Sequence, residues 1–156
     1  MLQTRLITSL TEKICEFWRK HPDAYVWKVD TFTEGTAVPL GSFLFEIIDE
    51  NENNVGFLMV VRKEAEIITA YHKDCKYEYE VELGIFDHPT VKRSYAKECL
   101  QNLDCLVLSK VNERLPVVAL VRHKNKQKLK MQQILLDSNF VKIDEPIQEG
   151  ILYALK

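Results

Sequence analysis

The chain has 156 residues, 46% apolar and 28% charged, which suits one domain spanning 1–156 with a core of its own. A net charge of −2 and a pI of about 6.1 disfavour nucleic-acid binding through bulk charge. No apolar run approaches membrane-spanning length, and MLQTRLITSL lacks the apolar core and cleavage site of a secretory leader, so a cytoplasmic protein is expected.

Residues 2–7 predict a short first strand. Ser9 and Glu12 fit a capping box, and Leu10, Ile14, Phe17 and Trp18 recur at helical spacing, predicting an amphipathic helix over 10–20. His21 and Pro22 end it, because a residue before proline avoids the helical region. Residues 24–30 read as a strand and 31–41 as a loop rich in Gly, Pro and Thr. A run of strands follows at 42–49, 55–61, 65–72 and 77–86. Asn53 and Asn54 offer positive φ in the first turn, and the short connections force antiparallel neighbours. Residues 94–111 carry Ala96, Cys99, Leu100, Leu103, Leu106, Val107 and Val111 on one face and predict a single amphipathic helix. The continuous apolar run 115–121 predicts a buried central strand, with Pro116 tolerable at its start. A helix over 126–138 turns Met131, Ile134 and Leu135 inward and ends on Asn139 as a left-handed cap. Two strands, FVKID and GILYAL, close the chain.

Three features carry chemistry. Glu78, Glu80 and Glu82 alternate onto one face of the strand 77–86, where they either act on a basic substrate and hold a general base, or form a solvated sheet face. The turn HPTVKRS places Lys92 and Arg93 where a helix begins, and free N–H groups there suit an anion. His88 stands at the mouth of that turn, and a turn histidine without a role is the plainer reading. Arg122, Lys124, Lys126, Lys128 and Lys130 precede and open the last helix against its dipole, where they either hold an anion that relieves the repulsion or form a merely solvated basic loop, the plainer reading. Cys15, Cys75, Cys99 and Cys105 form no CxxC and have no histidine at ligand spacing, so no metal is expected and the thiols read as buried and reduced.

In its order of helix, antiparallel meander, helix, strand, helix and two strands, the chain resembles the GNAT superfamily, the Gcn5-related N-acetyltransferases. ELGIFDHPTVKRSYAKECLQ looks like the family's fourth strand, pyrophosphate loop and following helix. The tail from VVALVRHKN to GILYAL is similar to its fifth strand, last helix and terminal hairpin. The resemblance implies an α/β (α+β) domain, a mixed and mostly antiparallel sheet flanked by three to four helices. It implies an acetyltransferase that uses acetyl-CoA and an amine substrate, the sheet splaying between 77–86 and 115–121 to admit the pantetheine arm. Lys92, Arg93, Ser94, Tyr95, Ala96 and Asn125 would bind the cofactor, with Ser94 also capping the helix, and Glu80 or Glu82 would act as catalytic base. Of the loop pattern (Gln/Arg)-x-x-Gly-x-(Gly/Ala) only Ala96 matches; Val91 and Ser94 replace the first and central positions. The last helix has Leu135 where the family often has a tyrosine. The alternative is a non-catalytic protein of the same fold, as in small phage proteins with a broken cofactor loop, binding a protein partner through 122–130 or 78–82.

Overall fold

Among the described residues the chain folds into a seven-stranded mixed sheet with helices on both faces. The computed structural model describes residues 1–22, 33–62, 79–92, 94–111, 117–143 and 150–155. The expected strands at 24–30 and 65–72, Glu78, Cys75, Arg93, Pro116 and most of the link between the last two strands lie outside these residues. The elements are β1 (Gln3–Ile7), α1 (Glu12–Lys20), β2 (Ser42–Ile48), β3 (Asn54–Arg62), β4 (Tyr79–Ile85), α2 (Tyr95–Gln101), α3 (Leu103–Leu106), β5 (Val117–Arg122), α4 (Lys128–Leu136), β6 (Phe140–Lys142) and β7 (Gly150–Leu155), with a 3₁₀ turn at Leu108–Lys110. The strand order is β1-β2-β3-β4-β5-β7-β6. Every neighbouring pair is antiparallel except β4 and β5, which are parallel. Among the described residues no helix is long and apolar enough to cross a membrane.

The sheet has no solvated face at its centre, and β3 shows why. Its residues from Val55 to Val61 are all buried. Leu58 and Val60 join Phe45 and Ile47 of β2 under α2, α3 and α4, while Phe57, Met59 and Val61 join Leu44 under α1. A strand covered on both sides needs a continuous apolar run rather than alternation, and the sequence supplies one. From α1, Ile14, Cys15 and Trp18 are fully buried against the second face.

Several local expectations shift. The N-cap of α1 is Thr11, whose Oγ1 accepts from the Ile14 N–H at 3.4 Å, not Ser9. Leu10 is pinned before the helix: it is 2% exposed and its N–H donates to the Thr36 carbonyl at 2.8 Å. The positive φ in the β2–β3 turn falls on Glu52 (62°), not Asn53 or Asn54. There Asp49 organises the turn, accepting at 2.9 Å from the N–H groups of Asn51 and Asn53. The expected single helix over 94–111 is broken at Asn102 and again at Val107 into α2, α3 and the 3₁₀ turn. Asn102 is a poor helix interior residue, because its side chain competes for backbone; here its Nδ2 donates to the Glu98 carbonyl at 2.8 Å. Cys105 is exposed, against the expectation of a buried thiol, because it lies off the apolar stripe, while Cys15 and Cys99 are buried free thiols as expected.

The end of α4 follows the sequence. Asn139 adopts φ 67° and Ser138 Oγ donates to the Ile134 carbonyl at 2.7 Å, closing the helix ahead of buried Phe140. Asn139→Gly should therefore hold or slightly raise stability, while Asn139→Val should lose about 1–2 kcal/mol, read by urea denaturation. Equal midpoints for the two variants would refute the assignment.

Candidate active site

The site begins where the sheet stops pairing. β3 and β4 stay in register from Gly56–Ile85 to Arg62–Tyr79. On its other edge, among the described residues, β4 meets β5 at Tyr79–Val117 and Glu80–Val118, and beyond Glu80 the two strands share no further register pair. A cavity of about 550 Å³ opens in the gap. Its apolar floor comes from Leu100 of α2 and Met131, Ile134 and Leu135 of α4, with Ala119 and Val121 of β5 alongside.

Its two sides differ in charge. Toward α2 and α4 it is lined by Lys92, Ala96, Asn125, Gln127 and Lys130. The Asn125 Oδ1 accepts from the Gln127 N–H at 2.8 Å and so fixes the turn into α4. Lys92 also faces the acidic turn at Asp49 and Glu50, and borders a second, smaller cavity of about 160 Å³ with Ser94, Tyr95 and Glu98. Toward α1 the lining is Glu82, Phe86, Asp87, Phe17 and His21. The register explains this side: Glu82 lies opposite Met59 and Gly84 opposite Phe57, both packed beneath α1.

Glu80 and Glu82 are not a solvated row. Glu80 is 2% exposed and Glu82 is half-buried. Burial, then the charge of Glu80 and a hydrogen bond to it, push the Glu82 carboxyl well above the usual carboxylate range, against the pull of Arg122. Two like charges on one strand face cannot both ionise cheaply, so the pair holds a proton at pH values where an isolated glutamate has lost it. His21 moves the other way: burial, then Lys20, hold its imidazole below the ordinary value, with Asp87 opposing and Lys126 adding. His88 is exposed at the rim, its Nδ1 accepting from the Thr90 N–H at 3.3 Å and lying 2.9 Å from Thr90 Oγ1, which leaves the neutral-ring proton on Nε2.

No family model matches the sequence, and no curated protein matches it either. Solved structures do match. Aminoglycoside acetyltransferase AAC(6')-Ib, solved with paromomycin and acetyl-CoA, aligns over 99% of this chain and 92% of its own at TM-score 0.61 and 8% identity. Ribosomal-protein-S5-alanine acetyltransferase from Vibrio fischeri aligns over 98% and 91% at TM-score 0.53 and 15% identity. An acetyltransferase from Agrobacterium tumefaciens str. C58 aligns over 75% of this chain and 62% of its own at TM-score 0.50 and 15% identity. The fold is that of the GNAT acetyltransferases.

On the GNAT fold the β4–β5 divergence is where the sequence resemblance placed it. Of the residues expected to bind the cofactor, Lys92, Ala96 and Asn125 line the main cavity, Ser94 and Tyr95 line the smaller neighbour, and Arg93 lies outside the described residues. Ser94 precedes α2 but makes no side-chain capping bond; its own backbone is already helical (φ −79°, ψ −8°), which turns the hydroxyl away from the N–H groups it was expected to cap. Tyr95 is 8% exposed and belongs to the core beneath the sheet. Of the expected bases, Glu82 lines the cavity and Glu80 does not. Sequence reasoning missed Phe17, His21, Phe86 and Asp87 as cavity residues. The signal available for them was weak: an aromatic residue one helical turn before a histidine that ends the helix, and another just past the end of β4. Among the described residues no group of His, Cys, Asp and Glu could hold a metal ion.

Proposed function

We propose that the protein is an acyl-coenzyme A-dependent N-acyltransferase. The reading rests above all on the gap between β4 and β5, whose strands share no register pair past Glu80–Val118 among the described residues and whose 550 Å³ cavity fits an extended pantetheine arm. The residues present suit the rest of such a ligand. The start of α2 would meet a diphosphate, Lys92 would offset its charge, Lys130 lines the same cavity, and Asn125 orders the turn beside it. When bound, acetyl-CoA supplies an activated thioester carbonyl.

The chain's own groups do the remainder. Glu82, once ionised, takes a proton from the acceptor ammonium, with Glu80 behind it setting its basicity. A freed amine held beside Glu82 would attack that carbonyl directly, the C–N bond forming as the C–S bond breaks and the second nitrogen proton leaving with the sulfur. Backbone N–H groups along β4 steady the oxyanion. No tyrosine of α4 enters, since Lys128–Leu136 contains none.

Calorimetric titration with acetyl-CoA and with free coenzyme A should give saturable micromolar binding. Ser94→Glu, an exposed substitution at the start of α2, should abolish it while leaving the melting temperature unchanged. Unaltered affinity in that variant would remove the diphosphate from this loop, and no binding by wild type at millimolar ligand would remove the activity.

A further inference from the structure

Among the described residues β1 stands at one end of the strand order, so one flank of its backbone faces away from β2. Such a flank is a row of N–H and C=O groups on which a further strand can pair. Here two charged side chains from distant elements occupy it. The Leu2 N–H donates to Glu98 Oε2 at 2.8 Å, and Glu98 belongs to α2. The Thr4 carbonyl accepts from Lys110 Nζ at 3.1 Å, and Lys110 ends the 3₁₀ turn. The same ammonium donates to Thr4 Oγ1 at 2.7 Å, and that hydroxyl donates to the Leu106 carbonyl.

Farther along, the chain's own backbone takes over the flank. The Thr8 carbonyl accepts from the Val38 N–H at 2.9 Å, and the Leu10 N–H donates to the Thr36 carbonyl at 2.8 Å, around an antiparallel bridge between Ser9 and Ala37. Leu2, Thr4, Thr8 and Leu10 share one parity, so the outward groups follow the two-residue period of a strand, and Leu6 between them turns its backbone the same way. The Leu6 side chain is 54% exposed. At 8–10 the flank thus accepts an antiparallel strand. At 2–4 a carboxylate stands where that strand would bring a carbonyl, and an ammonium where it would bring an N–H.

We propose that Glu98 and Lys110 are plugs that keep the outer edge of β1 closed to an extended strand, and that the strand they exclude is the β1 edge of a second copy. The pairing already made at 8–10 shows that this flank has the geometry for an antiparallel neighbour. Two copies related by a two-fold axis would set each flank against its identical partner, and that edge is always present at the protein's own concentration. A charged side chain satisfies a backbone group of β1 without offering an edge of its own, so the sheet stops there.

The test is sedimentation velocity over a concentration series. Glu98→Ala combined with Lys110→Ala should self-associate about tenfold more tightly than wild type. Glu98→Gln combined with Lys110→Arg keeps an acceptor and a donor, and should associate like wild type. Leu6→Pro, added to the alanine pair, removes an outward N–H and leaves the bonds to β2 in place, so it should return association to the wild-type level. An alanine pair that associates no more than wild type would overturn the proposal. So would association that Leu6→Pro fails to reverse, because clumping of an unfolded chain is not cured by one proline on an edge.

Discussion

Glu82→Gln should lower acyl transfer by about 10²–10⁴-fold while coenzyme affinity stays unchanged. The carboxyl lines the cavity on the side away from the lysines, and its environment makes it a stronger base than an exposed glutamate. Burial is the main cause and Glu80 the second. Wild-type kcat/KM should therefore climb with pH through the raised Glu82 value, and the glutamine variant should lose that limb. The same residue fixes a stability trend. Its folded-state pKa lies above the ordinary 4.5, so between that value and the raised one the native state binds more protons than the unfolded chain. Stability must fall as pH rises across this window. Urea denaturation at several pH values should show the decline in wild type and a flatter profile in the variant. A glutamine variant with full activity and an unchanged pH–rate profile would exclude Glu82 as the base.

Phe57→Ala should cost about 3–5 kcal/mol, the largest stability effect expected of a single side chain here. The ring is 0% exposed and stands edge-on to Trp18 at 5.7 Å and to Phe17 at 5.6 Å, with Phe86 at 6.3 Å. It also lies over Gly84, where an added Cβ would come within 2.1 Å of it. Gly84→Ala alone should thus cost about 1–3 kcal/mol by overpacking. The two changes should not add. With the ring gone, the new methyl enters vacated space, and the double variant should recover about 0.5–3 kcal/mol relative to the sum. Chemical denaturation of the two singles and the double gives the cycle directly. Strict additivity would mean the ring does not occupy the space above Gly84.

Much of the fold was legible because the pattern responds to burial. The continuous run 115–121 announced a buried central strand, and Asn139 announced a left-handed helix end. The elements after the meander were legible through the resemblance over the second half. What was hidden depends on contacts between distant segments. Alternation put Glu80 and Glu82 on one face, but nothing local says that α1 closes over that face. Leu10 looked like the first helical residue until a bond to Thr36 held it outside. Residues 94–111 have one apolar stripe, yet a stripe survives a break at Asn102 when both pieces pack on the same core. Part of the cavity lining was visible: Lys92, Ala96 and Asn125 follow from the resemblance and Glu82 from the alternation of its strand, whereas Phe17, His21 and Phe86 come together through contacts between α1 and the end of β4.

The paired contact of β4 with β5 is also a mechanical fact. Among the described residues, four strands on one side and three on the other are joined across the sheet by two register pairs, at Tyr79–Val117 and Glu80–Val118. There the sheet has a seam. On the acyl-transfer reading, an extended ligand lying in that opening would act as an added rail between the halves. Its binding energy would then add to the cohesion of the sheet, and occupancy would stiffen the molecule where these strands are least tied together.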